Sequence, residues 1–136
     1  MTKFESDGAS IQVYDTLTAR KVLFEPLVPG RVSLYVCGVT VYDFSHIGHA
    51  RVYVFFDTMA RFLEALGFDV KYARNYTDVD DKIIKRANEL GQPATTVSER
   101  FIAEFKSDMA ALGVRTPTFE PKVTEHIAEI IALTKT

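Results

Sequence analysis

His46 and His49 flank Gly48 in the run Ser45-His46-Ile47-Gly48-His49-Ala50-Arg51, at the start of a strongly helical stretch. The first backbone N–H groups of a helix lack partners, and its dipole favours an anion there. Two imidazoles can add hydrogen bonds to such an anion, and a glycine lets a phosphate or a flat ring come close to the backbone. One reading is therefore a phosphate site whose donors stabilise charge developing on a transferring phosphoryl group. The plainer reading is that the two histidines only cap or solvate the helix start. A metal pair is a third option, but these histidines have no carboxylate ligand nearby in sequence.

Cys37, the single thiol, ends a strand-like run as Cys37-Gly38-Val39-Thr40. Its default reading is a small buried residue. With His46 or His49 as base it would instead be a nucleophile, as in a cysteine hydrolase. One thiolate alone does not hold zinc. Asn75-Tyr76-Thr77-Asp78 ends a second strand-like run. Asp78, Asp80 and Asp81 form an acidic cluster expected to cap the helix that follows.

These segments need elements to position them. Residues 11–14, 21–24 and 31–36 read as short strands punctuated by Pro26, Pro29 and Gly30, the last with the weak alternation of a strand buried on both faces. Val52, Phe55, Phe56, Met59, Phe62, Leu63 and Leu66 recur at helical spacing as one apolar stripe, and Gly67 stands where a left-handed cap would end the helix. Residues 68–75 read as the next strand, completing a βαβ unit with parallel strands. The ligand crevice of an open parallel sheet lies at the carboxyl ends of its strands, so the Cys37, His46 and Asn75 segments are expected to meet on one edge.

Helices are expected over 80–90, ending at Gly91, and from Thr96, with Thr96 and Glu99 spaced as a capping box, to Gly113. Phe101, Ile102, Phe105, Met109 and Leu112 would form the buried face of the latter. Residues 115–122 read as a Pro-containing connector. Thr124 would cap a last helix with Ile127, Ile130, Ile131 and Leu133 inward and His126 on its surface.

The chain has 136 residues, 47% of them hydrophobic and 12% aromatic, which excludes disorder for most of it. With one cysteine it has no intrachain disulfide, which suits a reducing compartment. No signal core or apolar run of about 18 residues is present, so the chain reads as cytoplasmic, with no membrane partner. A net charge of −2 argues against a dedicated nucleic-acid clamp within these residues.

The run from Leu34 to Arg51, with Tyr35-Val36-Cys37-Gly38 ahead of His46-Ile47-Gly48-His49, resembles the active-site opening of cysteinyl-tRNA synthetases. Arg74-Asn75-Tyr76-Thr77-Asp78-Val79-Asp80-Asp81-Lys82 matches that family's next signature. The resemblance implies the N-terminal half of a class I synthetase Rossmann-type parallel sheet, preceded by short strands and followed by helices leading into the connective insertion. It divides the chain into a flexible N-terminus (1–10), the first half of a nucleotide-binding catalytic domain (11–115) and the start of that insertion (116–136).

The resemblance also implies an activity. Such enzymes make cysteinyl adenylate from L-cysteine and ATP with Mg²⁺, then transfer the cysteinyl group to tRNA(Cys). His46 and His49 would act in catalysis by binding the phosphates. Thr40 and Gly48 would also contact the nucleotide. Gly38, Thr40, Asn75 and Thr77 would line the substrate or adenylate. Cys37 would be one of four Zn²⁺ ligands, the other three lying downstream, and the zinc would take the substrate thiolate in preference to the hydroxyl of serine.

The family's Lys-Met-Ser-Lys-Ser signature, the remaining zinc ligands and the anticodon-binding part do not occur in these residues. The chain therefore reads as an N-terminal fragment. Alone it is expected not to aminoacylate tRNA, to hold zinc poorly, to keep weak ATP binding, and to self-associate through its uncovered half-sheet. The alternatives are a ligase joining cysteine to an aminosugar in thiol cofactor synthesis, and a non-catalytic paralogue that binds a nucleotide or a protein partner.

Overall fold

A computed structural model describes residues 11–135. The expected flexible segment 1–10 lies outside the described residues. Strands β1 (Gln12–Asp15) and β2 (Arg20–Leu23) form an antiparallel hairpin. Strand β3 (Arg31–Val36) leads into helix α1 (Ile47–Ala65), and β4 (Asp69–Arg74) returns parallel to β3, with Arg31 opposite Asp69 and Val36 opposite Arg74. This is the βαβ unit that the apolar periodicities predict. Gly67, at φ +92°, reverses the chain after α1, a conformation that costs a glycine nothing.

Helices α2 (Asp81–Leu90) and α3 (Ala94–Ala111) pack on each other, and Phe105 of α3 meets the Tyr53 ring of α1 edge-on. Asp80 caps α2 by accepting from the Lys82 N–H at 2.8 Å. Asp78 does not share in that cap: its carboxylate accepts from the backbone N–H and the hydroxyl of Thr124. The core gathers Val36, Val39 and Val41 with Tyr53, Tyr72, Tyr76, Ile83, Phe101 and Phe105.

Several expectations need correction. Helix α1 buries only part of the predicted stripe: Leu63 is buried and Phe56 and Met59 are half-buried, but Val52, Phe55, Phe62 and Leu66 are exposed, and Tyr53, Asp57 and Ala60 complete the buried face instead. The buried face is anchored through a charge, because Asp57 accepts from Arg61 Nε at 2.8 Å and Arg115 Nε at 3.2 Å. Strand β3 is buried on one face only, with Val32 and Val36 inside and Ser33 and Tyr35 outside. Nothing among the described residues covers its second face.

Helix α3 begins at Ala94 behind Pro93, whose extended backbone starts the first turn before Thr96 can cap it, and Leu112 is exposed. Thr124 does not cap α4 (Ile127–Thr134), because it lies within a short 3₁₀ turn, Val123–His126, that precedes that helix. The outer position of α4 leaves Ile127, Ile130, Ile131 and Leu133 exposed rather than inward. His126 is exposed, as expected.

The 115–122 connector is also more than a link. Its backbone runs beside β4 as a third parallel member of the sheet. Phe119 N–H donates to Tyr72 O at 3.0 Å, Arg74 N–H to Phe119 O at 2.9 Å and Tyr76 N–H to Pro121 O at 2.9 Å. Glu120, in the middle of this segment, accepts from Arg74 Nη2 at 2.5 Å and from the Tyr76 hydroxyl at 2.7 Å.

Candidate functional site

The strand ends after β3 and β4 stay joined beyond the regular sheet. Thr77 N–H donates to Val39 O at 3.0 Å and Val41 N–H to Thr77 O at 3.3 Å, so Thr40 and Thr77 are bridge partners. Gly38 N–H donates to Asn75 Oδ1 at 2.8 Å, and Asn75 Nδ2 lies 3.4 Å from Thr77 Oγ1 as donor. Gly38, Thr40, Asn75 and Thr77 are thus one hydrogen-bonded patch at the carboxyl ends of two parallel strands. That is where open α/β sheets hold ligands.

Cys37 precedes this patch and is exposed, against its default reading as a buried residue. It adopts this position because the odd-numbered residues of β3 face outward, and its carbonyl is tied down by the Tyr53 hydroxyl at 3.2 Å. Burial pushes that hydroxyl up to about 12, so it remains a donor at neutral pH.

The two histidines do cap α1, and in a particular way. His46 Nδ1 accepts from the Gly48 N–H at 3.0 Å, and His49 Nδ1 accepts from the His46 N–H at 3.2 Å. A capping box built from imidazoles needs both Nδ1 atoms unprotonated, so in the neutral rings the proton sits on Nε2. The rings lie 4.0 Å apart between centroids, leaving two Nε2–H donors side by side. Gly48 leaves room for this arrangement, since a Cβ there would stand 2.7 Å from the His46 ring. The capping and anion-binding readings are therefore compatible: one nitrogen of each ring holds the helix and the other remains available.

Both rings line a cleft of about 440 Å³ with Gly38, Thr40, Asp43 and Lys82. The sequence alone points to no role for Lys82. Its signal was its place two residues after the Asp80 cap, in the first turn of a helix that starts just beyond the Asn75 segment. A larger cavity, of about 480 Å³, lies elsewhere, around Phe24, Leu27 and Lys71, and contains none of these residues.

Partial burial, then the proximity of His46, hold His49 below its ordinary value of 6.5. A histidine whose folded pKa is depressed contributes stability above its unfolded value and loses it as pH falls through the folded one. The chain is accordingly expected to lose thermal stability as pH drops below about 6.5, with the His49 ring protons titrating below that value by NMR. His49→Gln should remove this part of the pH dependence. An unshifted His49 titration would refute the assignment.

Among the described residues no three His, Cys, Asp or Glu side chains gather to hold a metal ion. Cys37 offers one thiolate, against the four ligands of a closed zinc site. These residues by themselves do not fit zinc, and no chemical step is assigned to it. No helix among the described residues is long and apolar enough to cross a membrane.

Comparison with known proteins follows the same lines. The sequence profile for tRNA synthetases class I (C) catalytic domain matches residues 23–136. The chain is 66% identical over 122 residues to the cysteine–tRNA ligase of Geobacter metallireducens, covering 90% of this chain and 25% of that protein. It is 54% identical over 129 residues to the cysteine–tRNA ligase of Magnetococcus marinus, covering 95% and 26%. The chain thus spans about a quarter of the length of these relatives. Among solved structures it resembles a Mycobacterium tuberculosis methionyl-tRNA synthetase in complex with methionyl-adenylate, with 26% identity and a TM-score of 0.57 over 64% of this chain and 18% of the other. An Agrobacterium radiobacter leucyl-tRNA synthetase in a ternary complex gives 25% identity and a TM-score of 0.61 over 72% of this chain and 13% of the other.

Proposed function

The chain belongs to the class I (C) tRNA synthetase catalytic-domain family, and from that premise we propose that it forms the part of a cysteine–tRNA ligase that binds ATP and begins cysteine activation. The observation that carries this reading is the imidazole capping box, which leaves two Nε2–H donors on a cleft whose lining includes Gly38 and Thr40 of the strand-end patch. In the proposed reaction the cysteine carboxylate attacks the α-phosphate of Mg-ATP, and pyrophosphate leaves. His46 and His49 hydrogen-bond the phosphate oxygens as negative charge accumulates. Their donors are held by the helix start before reaction, so little reorganisation is needed.

Gly38 and Thr40 form the floor beneath the adenylate, and Gly48 admits the nucleoside. Asn75 orients Thr77 toward the amino-acid end of the cleft. Cys37, exposed beside them, is suited to be one zinc ligand in a larger protein that supplies the rest. The working compartment is the cytoplasm, and the acceptor is the 3′ end of tRNA(Cys).

ATP–pyrophosphate exchange by the purified native gene product tests the activation step, and charging of tRNA tests the acceptor. Exchange dependent on cysteine and not on serine, followed by cysteinyl-tRNA formation, is the expected result. Exchange with transfer to an aminosugar instead would overturn the acceptor. No exchange would overturn the activation step. The 136 residues alone are expected to bind ATP weakly and to show no exchange. Near-synthetase exchange from them would refute that expectation.

A further inference from the structure

Lys82 shares the cleft with His46 and His49 but belongs to a different element. The histidines are carried by the start of α1, whereas Lys82 enters from the first turn of α2. Among the described residues it forms no ion pair, whereas Lys106 is paired with Glu120 and Lys122 with Glu99. Its ammonium nitrogen stands over the Tyr42 ring, 5.5 Å from the centroid. The Asp43 carboxylate also lines the cleft, and its Oδ1 is engaged by the Phe44 N–H at 2.9 Å. Packing does not explain Lys82 either, since α2 turns Ile83 and Ala87 inward and leaves Lys82 exposed.

An unpaired lysine on a cleft that already presents two neutral N–H donors supplies the one property they lack, a full positive charge. Neutral imidazoles can orient phosphate oxygens but cannot balance their charge. An ammonium group is a compact point charge on a flexible stem, able to follow a phosphate as it moves away. We propose that Lys82 is a phosphate-binding residue of the nucleotide cleft, contacting ATP opposite the His46–His49 pair. The inference rests on the ATP reading of the cleft.

The test is titration of this chain with Mg-ATP and, separately, with adenosine, for the wild type and for K82Q, K82R and H46A. K82Q is expected to weaken ATP binding about tenfold, the scale of one charge-assisted contact, and to leave adenosine binding within about twofold of wild type. It should also flatten the salt dependence of ATP binding, and K82R should restore most of the affinity. Equal losses of ATP and adenosine in K82Q would mean a structural role and would overturn the proposal. ATP binding unchanged in K82Q but weakened in H46A would overturn it while leaving the ATP reading intact. A wild-type chain that does not bind ATP would overturn both.

Discussion

Replacing Gly38 with alanine is expected to lower the melting temperature of the chain by about 10 °C or more and to abolish ligand binding in the cleft. A Cβ at this position would stand 1.4 Å from the Asn75 carbonyl oxygen and 2.5 Å from its carbon. These are backbone atoms, so no side-chain rotation relieves the clash. Either β3 and β4 separate at their carboxyl ends or the Gly38–Asn75 hydrogen bond breaks. Overpacking a well-filled site typically costs about 1–3 kcal/mol, and an overlap with backbone belongs at or beyond the top of that range. For a domain of this size about 3 kcal/mol corresponds to roughly 10 °C. Thermal unfolding of Gly38→Ala followed by circular dichroism checks this. A variant melting within a few degrees of wild type would show that the two strand ends can part cheaply.

The second large effect concerns Arg74 and Glu120, whose side chains are 2% and 11% exposed. Arg74 lies against three aromatic rings, with its Cζ 4.9 Å from the Tyr53 centroid, 4.8 Å from Phe105 and 6.0 Å from Tyr76. Its Nε and Nη1 have no hydrogen-bond acceptor, so Glu120 is the counter-charge that makes this burial tolerable. Glu120→Ala leaves a buried guanidinium uncompensated and is expected to cost about 3–5 kcal/mol. The double change Arg74→Met with Glu120→Leu should recover most of that loss, because apolar replacement of a buried pair is often neutral or better. Denaturant melts of the three variants decide the point, and a Glu120→Ala loss below about 1 kcal/mol would refute the pairing argument.

The same pair sets an acid limit. Burial pushes the Glu120 carboxyl up, but the Tyr76 hydroxyl, Arg74 and the Lys106 charge outweigh it and hold the group below its ordinary 4.5. A carboxylate with a depressed folded pKa contributes stability above its unfolded value and loses it as pH falls through the folded one. The grip of residues 118–123 on β4 should therefore loosen below about pH 4.5, in a window distinct from the one set by His49.

The βαβ unit and the site segments were legible because each is local. The β3 and β4 runs, the glycine after α1, the Asp80 cap and the His46–His49 spacing are written within a few residues. The face that α1 buries was not legible. Its surface carries two overlapping stripes, and the one richer in phenylalanine is exposed. The buried stripe includes Asp57, which an apolar count scores against it, and one of the two arginines that make that carboxylate acceptable inside, Arg115, lies 58 residues away. The 115–122 connector was misread for a similar reason. Its prolines say loop, and its pairing depends on backbone groups of β4 that have no sequence signature. In the cleft, Lys82 carries no local signature, and only the start of α2 brings it to the same lining as the histidines.

The return of residues 118–123 to β4 makes α2 and α3 a closed excursion, leaving the strand after Arg74 and rejoining it in the hydrogen bond from Tyr72 N–H to Thr118 Oγ1, which spans 46 residues. The entropy of closing such an excursion grows only with the logarithm of its length, so doubling it costs about 0.6 kcal/mol. Its far end is the exposed turn at Gly91, Gln92 and Pro93. That turn lies at the opposite end of α2 from Lys82, about 15 Å away at 1.5 Å per residue. Extra residues could be spliced in there, or a reporter domain grafted, while the cleft stays as it is.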